Sequence, residues 1–197
     1  MAAKHRPWLT RRRILRAARG ELSRHGYQGA SLNRMIAASG VTKGALFHHF
    51  GSKAEIGYAV LDELERARVA SEWCADEPVD GRVADWLGVM FERKLEALGR
   101  RHGDLVHGSL LWNVATEMAA LDNGFRELAA DIYAGWRDCW ARCLEAGVSA
   151  GRLPERLDCG RHAGYLVHAV EGLLAAARLS GDLEPLRYGF HQLQRTP

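Results

Sequence analysis

Between Gly40 and Phe50 the chain sets Thr42, Lys43, Gly44, Ala45, Phe47 and His48 on one short fragment. A hydroxyl, a cation, a ring and an imidazole so close together are groups that contact phosphate oxygens and base edges. Gly40 halts the preceding helix, whose apolar positions are Leu32, Met35 and Ile36 and whose N-cap is Ser31. Thr42 then caps a second, shorter helix. Two helices joined by a tight glycine turn form a helix-turn-helix, in which the second lies in the major groove of DNA and its first residues meet the bases. Leu46 faces inward and is expected to anchor this helix on Met35 and Ile36. Gly44 lets the backbone come close to DNA where a side chain would collide.

Charge supports a polyanionic partner. Residues 1–53 carry eleven Lys or Arg against a single acid, Glu21, a net +10, while residues 54–197 carry a net −7. Such asymmetry points to nucleic acid or an anionic membrane surface. No apolar run approaches the roughly 18 residues of a membrane span, and no secretory signal precedes "TRRRIL". The four cysteines are scattered, as free thiols in a reducing compartment would be. A cytosolic, non-membrane protein is expected.

The elements that must hold the fragment all read as helices. Thr10 can cap a first helix with Ile14, Leu15, Ala18 and Leu22 on one face, ended by Gly26. Ser52 and Glu55 have capping-box spacing and open a fourth, long helix toward Cys74. Beyond the linker around Pro78, helical stretches are expected at 80–101, 104–120, 122–149, 156–180 and 184–194. The fold class is therefore all-α with nine to ten helices. A three-helix DNA-binding head covers 1–53, and a larger helical body for effector binding and dimerisation covers 54–197.

"SLNRMIAASGVTKGALFHHFGSKAEI" resembles the DNA-binding segment of TetR-family transcriptional regulators. Gly26-Tyr27 matches that family's opening turn and Gly40 to Leu46 its "GV[ST]xGxL" centre. His49-Phe50 and Ser52 to Glu55 match its end. The likeness covers roughly residues 10–58. It implies base and phosphate contacts from Thr42, Lys43, Gly44, Ala45, Phe47 and His48, and phosphate contacts from Lys53 and Ser31. Arg11, Arg12 and Arg13 join them as phosphate anchors on charge alone, and His49 and Phe50 read as packing residues. Two positions depart from the family pattern, Phe47 where Tyr is usual and Ile36 where Ala is usual. The resemblance implies a bacterial, cytoplasmic repressor that binds a palindromic double-stranded operator as a homodimer and releases it for a small-molecule effector. A constitutive DNA-binding protein whose body only dimerises is the alternative.

"GSLLWNVATEMAALDNG" is similar to one branch of TetR-family ligand domains; Ser109 stands where some of that branch carry a cysteine. An effector pocket could draw on Trp86, Met90, Trp112, Met118, Tyr133 and Tyr165, with polar groups from His107, Asn113, Glu117, His168 and Glu171. His168 and Glu171 sit in an otherwise apolar run. They can pair with each other, cross a dimer interface or touch the effector. The helices at 122–149 and 156–180 suit a two-fold four-helix interface, helped by Gly164, Gly172, Ala175 and Ala176.

Other chemistry finds little support. "GVSAG" at 147–151 matches a nucleophile elbow, but a helix rather than a strand precedes Ser149. Cys139, Cys143, Cys159 and His162 have spacings open to a metal, yet the first two lie in a Trp-rich stripe and read as buried thiols. No phosphate-binding or dinucleotide fingerprint occurs. No cofactor, metal or catalytic residue is expected.

Overall fold

Alternating caps and glycines divide the computed structural model into helices; residues 7–75, 78–100 and 107–195 are described. Among these there is no strand. The order is α1 (Pro7–Gly29), α2 (Leu32–Ser39), α3 (Lys43–His49), α4 (Lys53–Ala59), α5 (Arg66–Trp73), α6 (Val83–Arg100), α7 (Leu110–Met118), α8 (Asn123–Ser149), α9 (Cys159–Ser180) and α10 (Glu184–Gln194). A π-helical segment, Val60–Glu65, joins α4 to α5, so the two can be counted as one helix. The expected start of a helix at 104–106 lies outside the described residues. Thr10 does not cap α1, because Pro7 to Leu9 are already helical and Pro suits a first turn whose N–H groups have no partners.

The described chain forms two compact units, residues 1–67 with 110–129, and 68–109 with 130–197. In the first unit α1 is the hub, packing on α2, α3, α4, the π-helical segment and α7. Its buried face is Ile14, Leu15, Ala18, Leu22 and Tyr27. Met35, Leu46, Phe50 and Ile56 close the core around it. Two buried carboxylates bind it with charge-assisted bonds. Glu21 accepts from Ser31 N at 3.0 Å and Arg34 Nε at 2.6 Å, and Glu65 accepts from Arg19 Nε at 2.7 Å. Burial pushes the Glu21 carboxyl up, but the Ser31 N–H and the Arg34 guanidinium outweigh it and hold its pKa below the usual value.

The second unit is built on aromatic rings. Trp73 stacks on Trp136 at 5.2 Å and meets Trp140, Phe91 and Phe190 edge-on, while Phe91 and Phe190 stack at 4.3 Å. Trp140 Nε1 donates to Trp73 O at 2.6 Å, which satisfies a buried indole. The α8 stripe buries Ile132, Trp136, Trp140, Cys143 and Leu144, with Cys139 half-buried at its edge. Ser149 is the last residue of α8, so "GVSAG" is a helix terminus and not an elbow.

Candidate functional site

Each break around α3 has a local cause. Gly40 adopts φ 61° and ψ 29°, and its N–H bonds back to Ile36 O and Ala37 O. This left-handed C-cap strains any residue with a Cβ. The Thr42 hydroxyl accepts from Ala45 N at 3.1 Å, which starts α3. Ser52 accepts from Glu55 N at 3.1 Å, but the Glu55 carboxylate takes the Gly51 N–H at 2.9 Å rather than that of Ser52. The expected box is therefore present with its return bond moved one residue toward the N-terminus.

Leu46 is fully buried, whereas Thr42, Lys43, Gly44, Phe47 and His48 are exposed and Ala45 is half-buried. A β-carbon placed on Gly44 would meet nothing within 4 Å, so its backbone is open to an approaching surface. Lys43 Nζ lies 6.0 Å from the centre of the Phe47 ring, at the outer limit of a cation–π contact. Phe50 is buried under the Arg11 guanidinium and His49 is half-buried, the packing places expected of them.

The other cations are less available than charge alone suggests. Arg11 pairs with Glu63, and Arg13 Nη2 donates to Gly40 O at 3.3 Å. Arg12 is exposed. Lys53 Nζ donates to Gln28 O at 3.1 Å and sits 4.8 Å from the Tyr27 ring centre. An ammonium has three N–H donors, so two remain for phosphate. Ser31 occupies the N-cap of α2 without a side-chain capping bond.

The expected effector residues divide between the two units. Trp112, Asn113, Glu117 and Met118 lie on α7 in the first. There Glu117 is committed to the turn at Gly26 (φ 68°), its two oxygens accepting from Tyr27 N at 2.7 Å and Gln28 N at 2.6 Å. Met118 Sδ accepts from Gln28 Nε2 at 3.6 Å. The Glu117 contacts have a local reason. The non-helical turn leaves N–H groups without helix partners, and the nearest carboxylate belongs to α7.

In the second unit Trp86 and Met90 line a surface groove with Pro78, Val79, Arg82, Asp85 and Val89. Tyr165 is 54% exposed, which places it outside the core. His168 is exposed too, its Nδ1 2.6 Å from Gly164 O. Of the two polar residues in this apolar run, Glu171 is buried and His168 is exposed.

Glu171 is 1% exposed and unusual. Its Oε1 accepts from Ser109 Oγ and from Tyr133 Oη, each at 3.0 Å, while its Oε2 has no hydrogen-bond partner among the described residues. His107 is half-buried near Ser109 in the chain. Burial pushes the Glu171 carboxyl up, against the Ser109 and Tyr133 hydroxyls and the charges of Arg68 and Lys94. Those two cations converge on Glu72 Oε2 at 2.8 Å each. A carboxyl whose folded pKa is raised favours folding most below its unfolded value, and that contribution fades as pH rises through the folded pKa. Glu171→Gln is therefore expected to match the wild type in urea midpoint near pH 4 and to exceed it at pH 8. A midpoint difference that stays constant with pH would contradict this reading.

Comparison with known proteins settles the family. Residues 14–60 match the family model for bacterial regulatory proteins of the tetR family, and residues 87–193 match that for the tetracyclin repressor-like C-terminal domain. The chain belongs to the TetR family. Transcriptional regulator AcuR of Cereibacter sphaeroides is 26% identical over 95% of this chain and 87% of its own length. HTH-type transcriptional regulator TtgR of Pseudomonas putida is 28% identical over 89% and 86%. A solved structure of regulatory protein TetR from Rhodobacter sphaeroides superposes with a TM-score of 0.83 at 23% identity, covering 95% of this chain and 98% of that one. E. coli NemR in its reduced form gives 0.80 at 21% identity, over 94% and 95%. This TetR-family protein thus shares the fold of transcriptional regulators along almost its whole length. No described helix is long and apolar enough to cross a membrane.

Proposed function

We propose that this protein is a cytoplasmic, homodimeric transcriptional repressor that binds a palindromic operator through α3 and releases it when a small molecule engages Glu171. Thr42, Lys43, Gly44, Phe47 and His48 form the DNA-facing surface, with Ala45 at its edge and Arg12, Lys53 and Ser31 toward the phosphates. Dimerisation uses α8 and α9. On α9, Tyr165, His168, Gly172, Ala176 and Leu179 are exposed at spacings of three and four, a single helix face, and Leu179 is 88% exposed. Small residues on such a face admit a second copy closely.

Glu171 carries the effector reading. A buried carboxyl oxygen without a partner is costly unless something else supplies one, and a bound polar molecule would do so. Ser109, which donates to Glu171, is followed directly by α7, and eight residues further on Glu117 holds the turn after α1. At about 1.5 Å per residue that helix spans roughly 12 Å. A ligand that repositions Glu171 and Ser109 would draw on α7, and through Glu117 on the turn that sets α2 and α3. The ligand thereby favours a dimer whose heads mismatch the operator.

Titration of selected operator DNA in the presence of small acids, amines and phenols tests this. At least one compound should weaken operator binding tenfold or more, and operator should weaken that compound's binding by the same factor. If nothing displaces the DNA, the protein is a constitutive DNA-binding dimer instead.

A further inference from the structure

Three side-chain atoms among the described residues are shut from solvent without a hydrogen-bond partner: Glu171 Oε2, Trp136 Nε1 and His162 Nε2. The first two belong to residues that Tyr133 touches. Its hydroxyl donates to Glu171 Oε1 at 3.0 Å, and its ring lies nearly parallel to that of Trp136, the planes 15° and the centres 6.3 Å apart. All three of these residues are in the second unit. His162 stands apart, nine residues before Glu171 on α9, or about 13 Å along the helix.

What Glu171 lacks depends on where its proton is. Ser109 Oγ and Tyr133 Oη both give their hydrogen to the same oxygen, Oε1, each at 3.0 Å. Oε2 is left bare on a residue only 1% exposed. A bare carboxylate oxygen in such a place costs far more than an unused hydroxyl. The neutral acid, with its proton on Oε2, is therefore the form that fits, in keeping with the upward push of burial on this carboxyl.

The Glu171 O–H and the Trp136 N–H are then two buried donors, and what both lack is an acceptor. A carboxylate supplies two acceptor oxygens, and an O–H bonded to a carboxylate is of the strong, charge-assisted kind. An ammonium group has only donors; it would need Glu171 ionised and would leave the Trp136 N–H unmet. The surroundings suit an apolar body, because Trp136 also stacks on Trp73, with centres 5.2 Å apart and planes 19° apart. A cation adjoins this stack: Lys94 Nζ lies 5.7 Å from the centre of the Trp73 ring.

We propose that the effector is a small organic carboxylate with an apolar or aromatic body, its two oxygens accepting from Glu171 Oε2 and Trp136 Nε1. This class rests on Glu171 being the effector site, as proposed above, and adds which molecules the site takes. Trp136 thereby becomes a ligand-binding residue as well as part of the ring stack. A bound carboxylate gives both orphaned donors a partner at once, which neither an amine nor a hydrocarbon does.

Calorimetric titration of the full-length protein with benzoate, benzamide and benzylamine, and with hexanoate, hexanamide and hexylamine, tests this. At least one carboxylate should bind about tenfold or more tightly than its matching amide and amine. Trp136→Phe keeps a ring and removes the N–H, and should weaken that carboxylate about tenfold. Glu171→Gln offers an N–H in place of the O–H and should hold it within about threefold, whereas Glu171→Leu should lose it. Urea midpoints show whether each variant folds; where Glu171→Leu does not, the Gln and Phe variants decide. An amine or amide that binds the wild type as tightly as its carboxylate would overturn the class, and loss of that binding in Glu171→Gln would still mark Glu171 as the effector site. Carboxylate binding untouched by Trp136→Phe would overturn the two-donor site. Binding by none of the probes would overturn this class and the effector reading of Glu171 together.

Discussion

Gly44→Glu binds operator about 100-fold more weakly than the wild type, since a carboxylate against phosphate costs several kcal/mol and each 1.4 kcal/mol is tenfold. Its stability is expected to stay the same or rise by up to about 1 kcal/mol, because glycine is a poor helix residue and an acid in the first turn suits the helix dipole. Nothing surrounds the new side chain, as Gly44 is exposed and a β-carbon there has no neighbour within 4 Å. The pairing of a better helix with a worse function is the informative part. A fall in affinity accompanied by a fall in urea midpoint would point to misfolding, and an unchanged affinity would remove α3 from the interface.

Glu117→Gln is expected to destabilise the first unit by about 2 kcal/mol, the scale of losing one charge-assisted hydrogen bond and leaving an N–H facing an amide NH₂. The bonds at risk are the short ones to Tyr27 N and Gln28 N. Because that turn precedes α2, operator affinity should fall as well, by about tenfold, or 1.4 kcal/mol. A cycle with Glu171→Gln separates stability from transmission. If α7 carries the effector signal, Glu117→Gln blunts the effector's influence on operator binding even where the effector still binds. A variant with wild-type urea midpoint and undiminished effector response would show that α7 has neither role.

What the sequence made legible is what depends on neighbours in the chain. The Gly40 stop and the Thr42 and Ser52 caps are decided within four residues, and helix punctuation displays them. The Phe47 and Ile36 departures are visible only against the family pattern; Phe47 proves exposed and Ile36 half-buried. Bonds between distant residues left no such mark. Glu117 reads as a pocket residue from its helix alone, yet its partners lie 89 and 90 positions away. Lys53 reads as a phosphate contact, and nothing nearby reveals the Gln28 carbonyl it also reaches.

His168 and Glu171 look alike in a string of apolar letters, and only the packing separates an exposed imidazole from a carboxyl 1% exposed. The π-helical turn at Val60–Glu65 has no composition signature at all. It sits where buried Glu65 must meet Arg19, which is a demand of the tertiary fold.

The central claim, that two α3 helices of a symmetric dimer read one operator, is tested most directly by footprinting the protein on DNA fragments it selects. The account predicts two protected half-sites related by a two-fold axis, their centres about one helical turn, 34–36 Å, apart or a multiple of it, and both lost together in Gly44→Glu. Protection with no sequence preference, or a single unsymmetrical half-site left intact by that substitution, would contradict it.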